Sequence, residues 1–260
     1  MNQAPLTMKY IVDGEIGHPA LLVHDLGASL NDWEALIPQL VITGHRVYAC
    51  DLPGHGTSPH IPDPRQYYAQ TYVTAFRRWL DSLDLGRAPI LIGHGFGAYL
   101  CLRYTINHPY KVYRLILINP MLTPEQYTGA FKFLNRHPRL EHLAWRHFPG
   151  WTRRQVLGLP EVADPQLEQR VWENYLESAP LNGRIPATVA DLTLEIAALP
   201  TRSLFLVGED DPLLDMSLLH PLVEEMPDIS LVTLPNVGHR PHLEAPQETN
   251  HVITKFLLGF

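Results

Sequence analysis

Two cysteines, no basic tract and no long apolar run mark this chain of 260 residues, and each shortage excludes something. Cys50 and Cys101 are too few for a disulfide framework or a metal knuckle. Both follow apolar or helical patterns and read as buried thiols in a reducing compartment, so the expected location is cytoplasmic. No stretch approaches the roughly 20 apolar residues that span a bilayer. Met1 to Met8 is polar and contains proline, unlike a secretion leader, and no membrane partner is expected. The formal net charge is -7, without a basic stripe, so no nucleic-acid partner is expected either. Neither a GxGxxG dinucleotide loop nor a GxxxxGK[ST] phosphate loop occurs, and no cofactor is expected. The 14 histidines are scattered, without a His-x-x-x-His pair beside a carboxylate, so no metal is expected. His137, His142 and His147 would point in different directions on one helix.

What is present is a globular chain, 45% apolar, able to bury one large core. Short apolar runs alternate with longer helical patterns, the sequence form of a mostly parallel sheet covered by helices. Strands are expected at Ala20–His24, Arg46–Cys50, Pro89–Ile92, Arg114–Ile118, Ser203–Val207 and Ser230–Leu234, with an antiparallel edge strand over Lys9–Gly14. Helices are expected over Asp32–Leu40, Tyr67–Leu83, Phe96–Asn107 and Leu243–Leu258. Residues 121–194 break the alternation. Apolar residues there recur at three and four positions, as in the amphipathic stretch Leu167, Val171, Trp172, Tyr175 and Leu176. This segment reads as a helical cap set between residues 1–120 and 195–260, which form the core domain. Ordinary crossover helices are the alternative. Met121, Phe131, Trp145, Phe148, Trp172 and Tyr175 are the candidate pocket residues, fitting a small apolar or aromatic ligand.

Five motifs carry chemistry, in a fixed order. His24-Asp25-Leu26-Gly27 follows the first buried strand, and Asp51-Leu52-Pro53-Gly54-His55-Gly56-Thr57-Ser58 follows the second. Gly93-His94-Gly95-Phe96-Gly97 joins a strand to a helix. Gly208-Glu209-Asp210-Asp211 ends a later strand, and Asn236-Val237-Gly238-His239 precedes the last helix. Together they resemble the α/β-hydrolase fold family over nearly the whole chain. The resemblance implies an oxyanion loop at 24–27, a nucleophile elbow at 93–97, an acid at Asp211 and a histidine base at His239. Asp210 is the close rival for the acid. His55 and Asp51 are expected to fix their loop.

Gly95 stands where the family holds a serine. An elbow apex has φ > 0, strained for serine and free for glycine. The amides of Phe96 and Leu26 are expected to survive as an oxyanion hole, since backbone donors need no side chain. Asp25 replaces a usual glycine; it is expected to turn away and bond locally, or, if it faces the site, to serve as proton donor or second base. Ser29 is a minor candidate for the nucleophile, competing with a helix-cap role shared by Asn31 and Asp32. His94 is a further auxiliary candidate. Cys101 lies about 9 Å up the helix from Gly95 and is expected to face the core.

Three functions remain open at this level. One is an enzyme of small carbonyl or ester substrates in which His239, oriented by Asp211, acts as general base for direct hydrolysis or lyase chemistry, including C–C cleavage. A second is a serine hydrolase, or esterase, in an inactive form with glycine replacing serine. The third is a non-catalytic protein that binds a small ligand. A monomer or homodimer is expected.

Overall fold

The computed structural model describes residues 6–124, 154, 157–159, 164–196, 198–214, 216–224 and 228–259. Seven strands form one sheet: β1 (Lys9–Asp13), β2 (His18–Val23), β3 (His45–Asp51), β4 (Ile90–His94), β5 (Arg114–Ile118), β6 (Ser203–Gly208) and β7 (Ile229–Leu234). Their order is β1-β3-β2-β4-β5-β6-β7; β1 runs antiparallel to β3 and the other pairs are parallel. The inner strands are continuous apolar runs because a parallel sheet is covered on both faces. Alternate side chains divide between two cores. Leu21, Val23, Leu91, Leu115, Leu117 and Phe205 pack on one face, and Ala20, Leu22, Ile90, Ile92, Ile116 and Leu204 on the other.

Helices α1 (Ile37–Ile42), α2 (Ala69–Ser82) and α3 (Phe96–Asn107) lie in the first half. After β5 come α4 (Pro165–Glu177) and α5 (Thr193–Ile196), which belong to a helical cap inserted before β6. Then follow α6 (Met216–Glu224), α7 (Pro241–Glu244) and α8 (Pro246–Leu258). The chain is an α/β-hydrolase fold with a helical cap.

Two expected helices are divided. Asp32–Leu40 is a 3-10 turn over Leu30–Trp33 followed by α1, with Pro38 in the first turn of α1, where its missing N–H is tolerated. Leu243–Leu258 is α7 followed by α8, because Pro246 opens a new helix. Phe131, Trp145, Phe148, His137, His142 and His147 lie outside the described residues.

Candidate active site

Four loops at the carboxyl ends of β2, β4, β6 and β7 bring Asp25, Gly95, Asp211 and His239 together, where open α/β sheets usually hold ligands. The elbow is tight. Gly95 has φ 53°, and a Cβ on Gly97 would lie 2.2 Å from the Val23 carbonyl oxygen, so α3 crosses β2 only because that residue is glycine. The Gly95 N–H donates to the Ile118 carbonyl at 3.0 Å, and its carbonyl accepts from Met121 N–H at 3.1 Å. Met121, a candidate pocket residue, therefore sits against the elbow.

Asp25 departs from the expectation that it turns away. Its carboxylate lies directly over Gly95: a Cβ there would be 2.2 Å from Asp25 Cγ and Oδ1. Oδ1 accepts from the Phe96 N–H at 2.6 Å, and Oδ2 is 3.2 Å from His239 Nε2. The physical reason is the absent side chain. Glycine leaves a hole beside an unpaired helix-start amide, and a carboxylate satisfies that amide with favourable charge. Among the described residues the Leu26 amide, the other expected donor, has no acceptor.

On its opposite side His239 meets Asp211, Nδ1 to Oδ2 at 2.7 Å. The second Asp211 oxygen accepts the Leu213 N–H at 2.8 Å, which fixes the carboxylate. Asp210, the rival acid, is exposed. Asp25, Asp211 and His239 are 5%, 8% and 2% exposed, so their mutual charges act with little screening. Burial opposes a charged His239, but the Asp211 charge and hydrogen bond, joined by those of Asp25, outweigh it and raise the imidazole to about 9. Burial likewise opposes ionisation of Asp25, and the His239 hydrogen bond with nearby basic groups overrides it, holding the carboxyl well below its usual range. The raised His239 and the lowered Asp25 both favour the charged pair, an imidazolium facing the Asp25 carboxylate.

The supports are histidines and polar side chains from several loops. His94 Nε2 donates to the His239 carbonyl at 2.7 Å, placing the backbone of that loop. Asn119, at φ 40°, donates to the Gly238 carbonyl and accepts from Gly208 N–H, tying the loops after β5, β6 and β7. Glu244 accepts the N–H groups of Gly238 and Arg240 at 2.7 and 2.8 Å. The cap residue Gly158 accepts His239 N–H at 2.9 Å. Sequence reasoning missed Asn119, Glu244 and Gly158; the usable signals were an Asn just after a buried strand and a Glu six residues past a loop glycine.

The oxyanion loop is held by two neutral histidines. His24 donates from Nδ1 to the Asp25 carbonyl at 2.6 Å and accepts Leu52 N–H at 3.0 Å. His55 accepts Gly27 N–H at 3.0 Å and Asn182 Nδ2 at 3.1 Å; burial, aided by the neighbouring His24, lowers it to about 3, matching that acceptor role. Asp51 accepts from Leu30 N–H and Thr57 N–H, both at 2.8 Å. His55 and Asp51 thus fix loops.

Ser29 precedes the 3-10 turn without a side-chain cap bond, so it does not cap that turn, and among the described residues its buried hydroxyl has no partner. Asp32 caps nothing there either: it accepts from Asn174 of α4. Cys50 and Cys101 are buried and unbonded to each other, with Cys101 in the core between sheet and α3. Trp172 and Tyr175 stack at 5.7 Å, and Tyr175 lies against Gly27, so α4 covers the oxyanion loop. Asp25, His94 and His239 place one ligand-type atom each within 4.8 Å of one another. No described helix is long and apolar enough to cross a membrane.

Residues 20–252 match the sequence profile of the alpha/beta hydrolase family. The chain belongs to this family. It is 27% identical to a mouse sn-1-specific diacylglycerol lipase, covering 97% of this chain and 86% of that protein. It is 26% identical to a putative carbamate hydrolase of Variovorax paradoxus, covering 97% and 96%. The structure of a thermophilic esterase from Thermogutta terrifontis superimposes with a TM-score of 0.80 at 22% identity, covering 96% of this chain and 93% of that one, a likeness of fold.

Proposed function

We propose that this member of the alpha/beta hydrolase family hydrolyses a small ester or related carbonyl compound without a serine nucleophile. The supporting observation is the convergence of Asp211, His239, Asp25 and the Phe96 amide over Gly95. This charge pattern matters chemically. A serine site reaches an anionic nucleophile beside an imidazolium only after the serine gives up its proton; here both charges are present at rest. His239 therefore starts as a proton donor to a leaving oxygen and becomes a base after giving that proton away. With the Phe96 amide held by Asp25 Oδ1, the Leu26 amide is the free donor for a substrate oxyanion in this reading.

Turnover of a panel of p-nitrophenyl esters by the purified protein and by His239→Ala tests it. Loss on the order of 10²–10⁴-fold is expected; unchanged turnover sinks the role of His239. The second reading is a serine hydrolase whose serine has become glycine. It is favoured by the preserved elbow, with Gly95 at φ 53°, and by relatives described as lipase and hydrolase. It requires Asp25 to vacate the space a serine Cβ would take. Tight binding of a small ligand without any product would favour a non-catalytic role instead.

A further inference from the structure

Gly95 and Asp25 are separate departures in the sequence and one exchange in space. The side chain missing at the elbow is replaced by a carboxylate entering from the loop after β2, 70 residues earlier. One oxygen, Oδ1, is tied to the Phe96 amide at 2.6 Å; the other, Oδ2, faces His239 Nε2 at 3.2 Å. We propose, resting on the hydrolase reading, that Asp25 is the covalent acyl acceptor of this site and that its substrates are activated acyl compounds such as aryl esters, enol esters or thioesters.

The restriction on substrates follows from the nucleophile. A carboxylate attacking an acyl carbon forms a mixed anhydride, itself a reactive acyl donor. The step proceeds only when the departing group is a far better leaving group than an alkoxide. Oδ2 bonds to the acyl carbon, the acyl–oxygen or acyl–sulfur bond breaks, and the His239 proton goes to the leaving atom. Asp25 is then an uncharged anhydride and His239 a neutral base. Water attacks Asp25 Cγ as His239 takes its proton, and the developing oxyanion is Oδ1, which the Phe96 N–H already holds. Collapse expels the product carboxylate. The Cγ–Oδ2 bond breaks in that collapse, so Asp25 remains as the acid carrying the water oxygen, loses its proton to solvent and returns to its starting state. The sum is acyl compound plus water giving acid plus alcohol or thiol.

The test is a single turnover of p-nitrophenyl acetate by the full chain in ¹⁸O-water, followed by mass analysis of the peptide holding Asp25, with hydroxylamine as trap in a parallel sample. The expected result is ¹⁸O in Asp25, a hydroxamate at Asp25 under hydroxylamine, and a fast p-nitrophenol burst lost in Asp25→Asn, whose fold is checked by circular dichroism. If p-nitrophenol is released while the label enters acetate alone and Asp25 stays unmodified, the covalent assignment is overturned and the hydrolase reading survives. If no p-nitrophenol appears above the buffer rate, both fall.

Discussion

Because the Asp25 carboxylate occupies the space of a side chain at residue 95, substitutions at the two positions should be strongly coupled. Gly95→Ser alone places a Cβ 2.2 Å from Asp25 Cγ, so the carboxylate must swing out. That breaks its bonds to Phe96 N–H and His239 Nε2. These two bonds share one carboxylate charge and together contribute about 1.5–3 kcal/mol, and a non-glycine residue at positive φ adds about 1–2 kcal/mol of strain. The single variant should therefore lose about 3–5 kcal/mol. Asp25→Ala alone should lose about 1.5–3 kcal/mol. In that background Gly95→Ser meets no carboxylate, and only the backbone strain of about 1–2 kcal/mol remains. The cycle should show a coupling of about 2–3 kcal/mol, read from urea unfolding midpoints at pH 7 with unchanged slopes. The double variant should also react with a fluorophosphonate at the introduced hydroxyl, which then faces His239 and Asp211 with no carboxylate between. Additivity within about 0.5 kcal/mol, or equal labelling of the single and double variants, would refute the steric exchange.

Stability should also respond to pH through His239. Its pKa is raised from 6.5 to about 9 in the folded protein, so its contribution is full below 6.5 and lost as pH rises through 9. Unfolding free energy should fall across that window, and Asp25→Asn should flatten the fall; His94, which packs on the ring, and His242, which packs on His94, stay neutral because burial lowers both. An unchanged slope in Asp25→Asn would show that Asp25 does not hold the proton. His55→Ala removes the acceptor of Gly27 N–H and Asn182 Nδ2, and should destabilise by about 2–3 kcal/mol while slowing p-nitrophenyl ester turnover with KM and kcat both altered. Loss of stability without a change in kinetics would confine His55 to folding. Both cysteines should resist a thiol reagent in the native state and react after denaturation, because each is fully buried with its thiol pKa raised by burial.

The fold was legible because its signals are local. A strand buried on both faces is a short apolar run wherever it occurs, and α3 was readable to its end residues from the elbow glycines and the spacing that follows. Prolines were the local signals misjudged: Pro38 and Pro246 each open a helix within a stretch whose hydrophobic spacing looks continuous. The site divides in the same way. Asp211 and His239 are legible because each ends a strand in a recognisable motif, whereas the orientation of Asp25 depends on an amide 71 residues away and on a side chain that is missing. Taken alone, an aspartate beside an oxyanion loop looks hostile to a developing negative charge and should turn away. With Gly95 opposite, the same carboxylate gains an amide and an imidazolium, and the balance reverses. Two departures that each looked like damage when taken separately become compatible once they share a volume, and that pairing is a property of three-dimensional contact that no single-position reading of the sequence contains.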